Sequence, residues 1–246
     1  MKRYIGLLIC FFIIIGAISH VGFNYYNDIT IADFKFIDGT QLRASDFGQH
    51  KNGIWIPKAF NTPSTDTLVT NNLQLNYQFE RNANDSANSY NGTVSGATFR
   101  SNNYGIYDFD GSNDYIQFTN PISNSSHTDL TFSCWINWDT VLTSNFVSLV
   151  GNNSSTQWGP FMINVYGSSS GMNASFERYY SGNQLYSSSY SSVGMYKYTA
   201  NIWYNLTFTY DAANKRVLFY VNSELIDDYT ISVQNTGRAQ TTTSVL

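Results

Sequence analysis

Between Leu73 and Phe118, apolar and aromatic residues recur at every second position, in short runs separated by Asn, Asp, Ser and Gly. Tyr77 and Phe79 alternate in LNYQFE, Tyr107 and Phe109 in IYDFD, and Ile116 and Phe118 in DYIQF. A two-residue period sends successive side chains to opposite faces of a strand, and the intervening residues are those that tolerate turns. The pattern therefore predicts antiparallel sheet with one face toward a core and one toward water.

The same reading extends along the chain. DLTFSCWINWD (Asp129–Asp139) predicts a strand with Leu130, Phe132, Cys134, Ile136 and Trp138 on one face and Trp135 on the other. NFVSLVG and PFMINVYG continue the meander, and Gly171–Tyr198 predicts one or two strands around a long loop. Trp203–Ile231 reads as three strands with turns at Asp211–Asn214 and Asn222–Ser223. By pattern, Trp135, Trp138 and Trp203 belong to the core. Upstream, ITIADFKFI (Ile29–Ile37) predicts a strand with an irregularity at Ala32–Asp33, as a β-bulge would give. TPSTDTLVTNN (Thr62–Asn72) reads as a polar linker.

Two separated blocks resemble laminin-G-like, concanavalin A-like jelly-roll domains. The first has Tyr77–Phe79, Asp85–Ser86, Asn91–Gly92 and then F-D-G-S-N-D-Y-I at Phe109–Ile116. The second matches at Trp203, Leu206, Thr209, Tyr210, Asp211, Val217, Tyr220, Val221 and Asn222. The resemblance covers about residues 73–240 and implies an all-β, two-sheet antiparallel jelly-roll sandwich. Ser223 stands where the family usually has Gly, and a two-residue hairpin there would need positive φ. The family's closing strand is also not found before Leu246. Two arrangements are open: Ile29–Ile37 takes that place and pairs with residues 73–80, or it ends a preceding domain. A further segment, with Phe36, Asp38, Gly39, Leu42, Ser45, Phe47, Gly48, Gly53, Trp55, Pro57 and Lys58, resembles phage and marine-virus structural proteins carrying such domains.

The amino terminus places Lys2–Arg3 before an apolar run, Ile5–Ile18, which reads as a signal peptide or signal anchor. The division that follows is 1–23 as that apolar segment, 24–60 as a strand-and-loop unit resembling the end of a preceding domain, 61–72 as linker, and 73–246 as the jelly roll. Charged residues make up 12% of the chain and aromatics 17%, so solubility rests on Asn, Ser, Thr and Tyr. A net charge of −4 offers no basic footprint, which excludes nucleic acid as the expected partner. Cys10 and Cys134 encode no disulfide framework or metal site. Expected surroundings are extracellular, secreted or membrane-anchored, with a virion as the alternative, and a membrane is expected only at the amino-terminal segment.

Sugar recognition needs aromatic platforms beside planar polar groups. Trp158, Tyr179, Tyr180, Tyr186 and Tyr190 lie in Asn/Ser/Gly-rich surroundings and are the candidate ligand-binding residues. The competing reading sets alternate tyrosines into the core. Asp108, Asp110 and Asp114 gather oxygens around a turn and are candidate calcium ligands, although a strand followed by an Asp-Gly turn accounts for them equally. Asp85 and Asp211 are expected to cap their own loops through backbone hydrogen bonds. Paired carboxylates for glycoside hydrolysis are missing: of the three glutamates, Glu80, Glu177 and Glu224, none has a carboxylate two positions on. The expectation is a non-catalytic recognition or adhesion module for a glycan, cell-surface or virion partner, with no cofactor required and calcium left open. A structural virion part is the alternative, and a glycoside hydrolase is disfavoured.

Overall fold

A computed structural model describes residues 12–15, 17–20, 23–26, 28–60, 73–79, 82–88, 90–101, 105–119, 129–141, 145–152, 161–168, 171–180, 183–187, 196–230 and 232–234. The amino-terminal part contributes β1 (Phe12–Ile15), β2 (Ala17–His20), β3 (Phe23–Tyr26), β4 (Asp28–Asp38), a 3₁₀ turn at Ala44–Asp46, β5 (Gly48–Lys51) and β6 (Ile54–Pro57). The middle contributes β7 (Leu73–Tyr77), β8 (Thr93–Ser95), β9 (Thr98–Ser101), β10 (Gly105–Asp110), β11 (Tyr115–Thr119) and β12 (Leu130–Trp138). The remainder contributes β13 (Asn145–Asn152), β14 (Phe161–Ser168), β15 (Gly171–Tyr180), β16 (Asn183–Ser187), β17 (Trp203–Asp211), β18 (Arg216–Val221), β19 (Glu224–Thr230) and β20 (Ser232–Gln234).

These strands form two antiparallel sheets. The first runs β20-β16-β15-β14-β13-β1-β11-β8, and the second β19-β18-β17-β12-β4-β10-β9, with β7 also on β4. β2–β3 and β5–β6 are separate hairpins. The alternating residues meet in one core: Tyr77, Phe79, Tyr107, Phe109, Ile116 and Phe118 are all buried there, beside Leu130, Phe132, Cys134, Ile136 and Trp138 of β12. Burial pushes the Cys134 thiol pKa up, so it is held as a neutral core thiol.

The structure departs from the expected division at both upstream units. Part of the apolar run expected to precede the fold lies within it. β1 pairs with β11 (Ile15 opposite Ile116) and with β13 (Ile15 opposite Val150), and Ile15 is fully buried. A continuous apolar run looks the same whether it is a targeting segment or a central strand, so periodicity does not separate the two. The strand of the 24–60 unit is likewise internal. β12 flanks β4 on one side along Leu130–Trp138. On the other side, β10 takes the Asp28–Ile31 half and β7 the Phe34–Ile37 half. Residues 29–37 and 73–77 are therefore paired, as the first of the two open arrangements requires. The bulge expected at Ala32–Asp33 is present: Asp33 and Phe34 together face Cys134, and Asp33 has φ of 50°. Residues 61–72 lie outside the described residues.

Over β12 and β17 the outer face of the second sheet is covered rather than wet. Thr131, Ser133, Asn205, Thr207 and Thr209 are buried on that face. Residues that follow β4 lie across it. The Leu42 N–H donates to Thr131 Oγ1 (2.8 Å), Thr131 Oγ1 donates to the Thr40 carbonyl (2.9 Å), and Gln41 Nε2 donates to Thr209 Oγ1 (3.1 Å). Ile37, Phe47 and Leu73 form a second apolar cluster, with Leu42, Phe60 and Ala87 packed against it. Lys35 shares this face. It is buried, ion-paired with Asp33, and sits 5.5 Å from the Phe60 ring centre, and burial lowers its pKa. Of the three tryptophans read as core, Trp138 and Trp135 are buried, Trp135 on the face of β12 opposite Trp138, and Trp203 is half-buried.

Candidate functional site

The D-F-D-G-S-N-D turn divides its carboxylates among protein donors. Tyr107 and Phe109 face the core, so Asp108 and Asp110 take the other face of β10. Asp108 accepts a hydrogen bond from Thr30 Oγ1 (3.0 Å) and is ion-paired with Arg100. Asp110 Oδ1 accepts from the Ser112 N–H (2.8 Å), and Asp114 Oδ2 accepts from the Asp110 N–H (3.0 Å). Asp114 is buried against Gly96, whose φ is +75° and where a Cβ would come within 1.8 Å of Asp114 Oδ1. Among the described residues no group of three or more His, Cys, Asp or Glu side chains is placed to hold a metal ion.

One end of the second sheet nevertheless concentrates negative charge. Asp28 lies opposite Asp110, and the Asp139 carboxylate is close enough to act on it. Partial burial raises the Asp28 pKa above the ordinary 3.8, and the charges of Asp139, Asp108 and Asp110 raise it further. A carboxyl whose pKa is raised by folding stabilises the fold while protonated, and that contribution is lost as pH rises through the folded value. Asp28→Asn is therefore expected to raise the thermal midpoint at neutral pH and to flatten its fall above the ordinary carboxylate range. Melts from about pH 4 to 7 at low salt check this. Parallel profiles for the two proteins would remove Asp28 from the effect.

The expected ligand-binding aromatic residues fall into three groups. Trp158 and Tyr190 lie outside the described residues. Tyr179 and Tyr180 are on β15, and Tyr186 is on β16. In register, Met162, Glu177, Tyr186 and Ser232 form one cross-strand row, and Tyr179, Gln184 and Gln234 form the next. Ile163 and Val165 are buried in the core and pair with Phe176 and Ala174. By alternation, positions 177, 179, 184 and 186 share one face of the strand backbone, and position 180 falls on the other with positions 163 and 165. The sequence reading passed over Glu177, Gln184 and Gln234 as members of this face. The i, i+2 spacings 177/179 and 184/186 carried half of the signal, and the strand pairing supplies the rest.

Other polar groups have structural employment. Asp85 is buried and collects the N–H groups of Asn76 (2.9 Å), Ala87 (2.9 Å), Asn88 (3.0 Å) and Tyr90 (3.4 Å), while its own N–H donates to Asn91 Oδ1 (3.0 Å). Asp211 caps its turn through the Asn214 N–H (3.0 Å). Of the Asn-x-Ser/Thr triplets, Asn205 is sealed in the sheet, donating to Ser133 Oγ (3.1 Å), whereas Asn84 and Asn91 are exposed. At the β18–β19 turn Asn222 and Ser223 have φ of 48° and 70°, so Ser223 adopts the positive φ that the missing glycine would have supplied. His50 Nε2 lies 3.4 Å from Ser223 Oγ at the exposed surface. Glu177 and Glu224 stand in different sheets.

A family model described as the concanavalin A-like lectin/glucanases superfamily matches residues 110–245, more than half of the 246 residues. The chain belongs to that superfamily, whose description spans sugar-binding and sugar-cleaving proteins alike. No curated protein and no solved structure matches the chain.

Proposed function

We propose that this protein is a non-catalytic recognition module that binds oligosaccharide chains on the outer face of its first sheet. One observation carries the reading: strand register sets Tyr186 opposite Glu177 and Gln184 opposite both Tyr179 and Gln234. Neighbouring strands lie about 4.8 Å apart, so an aromatic ring on one strand has a planar polar group of the next within reach of the same sugar. A pyranose offers an apolar C–H face for the ring and a rim of hydroxyls for the amides and carboxylate. The paired carboxylates of a glycosidase would stand about 5–10 Å apart, and Glu177 has no carboxylate neighbour across β14 or β16. The reading requires no cofactor. It suits an extracellular or virion-borne protein.

The test is a panel of immobilised polysaccharides and an oligosaccharide array probed with the full chain. Tyr179→Ala and Tyr186→Ala are each expected to weaken the hits by at least about tenfold, as loss of an anchoring aromatic does. Tyr180→Ala should leave affinity unchanged. Equal losses for all three variants would dismiss the platform, and release of reducing ends by the wild-type protein would dismiss the non-catalytic reading.

A further inference from the structure

Among the described residues Lys35 is the only buried cation, 2% exposed on the outer face of β4. Its ammonium is ion-paired with Asp33 of the β4 bulge and lies against the Phe60 ring, which is itself stacked on Phe47. Directly across the strand pair, Lys35 stands opposite Asn76 of β7. Phe34 and Phe36 on β4, and Leu75 and Tyr77 on β7, belong to the core, so alternation puts Lys35 and Asn76 on the same outer face. The Asn76 Oδ1 atom is buried and has no hydrogen-bond partner among the described residues. On the other flank of β4, Ser133 stands opposite Lys35, and its hydroxyl accepts from Asn205 Nδ2 (3.1 Å). An amine, a carboxyl and an amide with an unpartnered oxygen are thus gathered where water is excluded.

We infer that Lys35 and Asn76 join in an intramolecular isopeptide bond, with Asp33 carrying the protons. Directly opposed residues have Cβ atoms about 4.5–5.5 Å apart, and the four-carbon lysine stem is long enough to bring Nζ onto the Asn76 Cγ from there. Removal from water disfavours the charged amine, so an ammonium proton passes to Asp33 and Nζ is left with a free electron pair. Nζ attacks Cγ of the Asn76 amide, the new C–N bond forms and the carbonyl electron pair moves onto Oδ1. Asp33 already reaches Nζ, so it also reaches the tetrahedral centre now attached to Nζ. It gives its proton to Nδ2 and takes one from Nζ. The pair on Oδ1 then reforms the carbonyl, the Cγ–Nδ2 bond breaks and ammonia leaves. Ammonia carries off the proton held by Asp33 as ammonium, which returns the carboxylate. No oxidant or other reactant is needed. The product exchanges a buried ammonium for a neutral amide and ties β4 to β7 covalently. This cross-link is independent of sugar binding by the first sheet.

The experiment is intact-mass and peptide mass spectrometry of the full chain, expressed in a host that adds no glycans. Wild type is expected to weigh one ammonia less than its sequence. Trypsin should fail to cut after Lys35 and should release a branched peptide joining the segments that carry residues 35 and 76. Lys35→Met and Asn76→Ala should each restore the full sequence mass. Asp33→Asn should restore it as well while keeping a native near-UV spectrum: asparagine tolerates the positive φ of this position, and only the proton carrier is lost. Asn76→Asp should still cross-link, losing one water in place of ammonia. A wild-type chain of full sequence mass, or one that loses ammonia without yielding the branched peptide, overturns the cross-link and leaves a buried ion pair. Cross-linking as complete in Asp33→Asn as in wild type overturns the role given to Asp33.

Discussion

A chain cut to residues 61–246 is expected not to fold, although it contains the whole stretch that matches the superfamily. The cut removes β4 from between β12 and β10, and β1 from between β11 and β13. β4 alone brings Ile29, Ile31, Phe34 and Phe36 to the core, each 1% exposed. Burying each such side chain stabilises by about 1.5–3 kcal/mol, so their loss approaches the whole of a typical domain's roughly 5–15 kcal/mol. It also leaves the backbone of β12 along Leu130–Trp138 and that of β10 without partners on one side. Near-UV circular dichroism of the shortened chain should be featureless and its urea transition broad. A synthetic peptide of residues 28–60 should restore a cooperative transition when added in trans, because it carries β4 and the residues that cover Thr131 and Thr209. A sharp transition and native-like near-UV spectrum without the peptide would show that β4 is dispensable.

Asp85→Ala is expected to cost about 3–5 kcal/mol, well above a typical surface substitution. Its carboxylate accepts N–H groups from Asn76, at the edge of β7, and from Ala87, Asn88 and Tyr90 within the following loop. The side chain is 7% exposed, so water cannot replace those bonds without opening the loop. The loop in turn packs Ala83 against the core and closes with the Gly92 N–H on the Ala83 carbonyl (2.7 Å). Asp85→Asn should fall between the two, since an amide offers one acceptor oxygen and turns a donor toward N–H groups. Denaturant melts give the magnitude. Hydrogen exchange at Asn76, Ala87 and Asn88 tests the cause, because those amides should lose protection before the rest of the sandwich. A variant within about 0.5 kcal/mol of wild type, with protection intact, would sink the claim.

Features that depend on neighbours in sequence were legible. Tyr107, Phe109, Ile116 and Phe118 alternate because a strand alternates, and all four are buried. The turn at Asn222–Ser223, the bulge at Asp33 and the capping by Asp85 were each readable from a few residues, since turn chemistry is local. The candidate face was half legible. Tyr179 and Tyr186 were identified by composition, but so was Tyr180, which alternation alone separates from Tyr179. That Glu177 lies opposite Tyr186 follows from register across β15 and β16, which no spacing within one strand reveals.

By itself the sequence determined that Ile29–Ile37 and most segments beyond Leu73 are strands, which of their faces are apolar and where the chain turns. Each of those is decided by side-chain period and backbone preference within a few residues. The tertiary structure alone decided strand partners. It inserted β4 and β1 among strands far from them in sequence, where chain-closure entropy is offset only by pairing along both flanks at once. It also decided that the polar face of β12 and β17 is covered by residues that follow β4. Thr131 and Thr209 have the residue types of a wet face, and only the chain crossing them makes them buried.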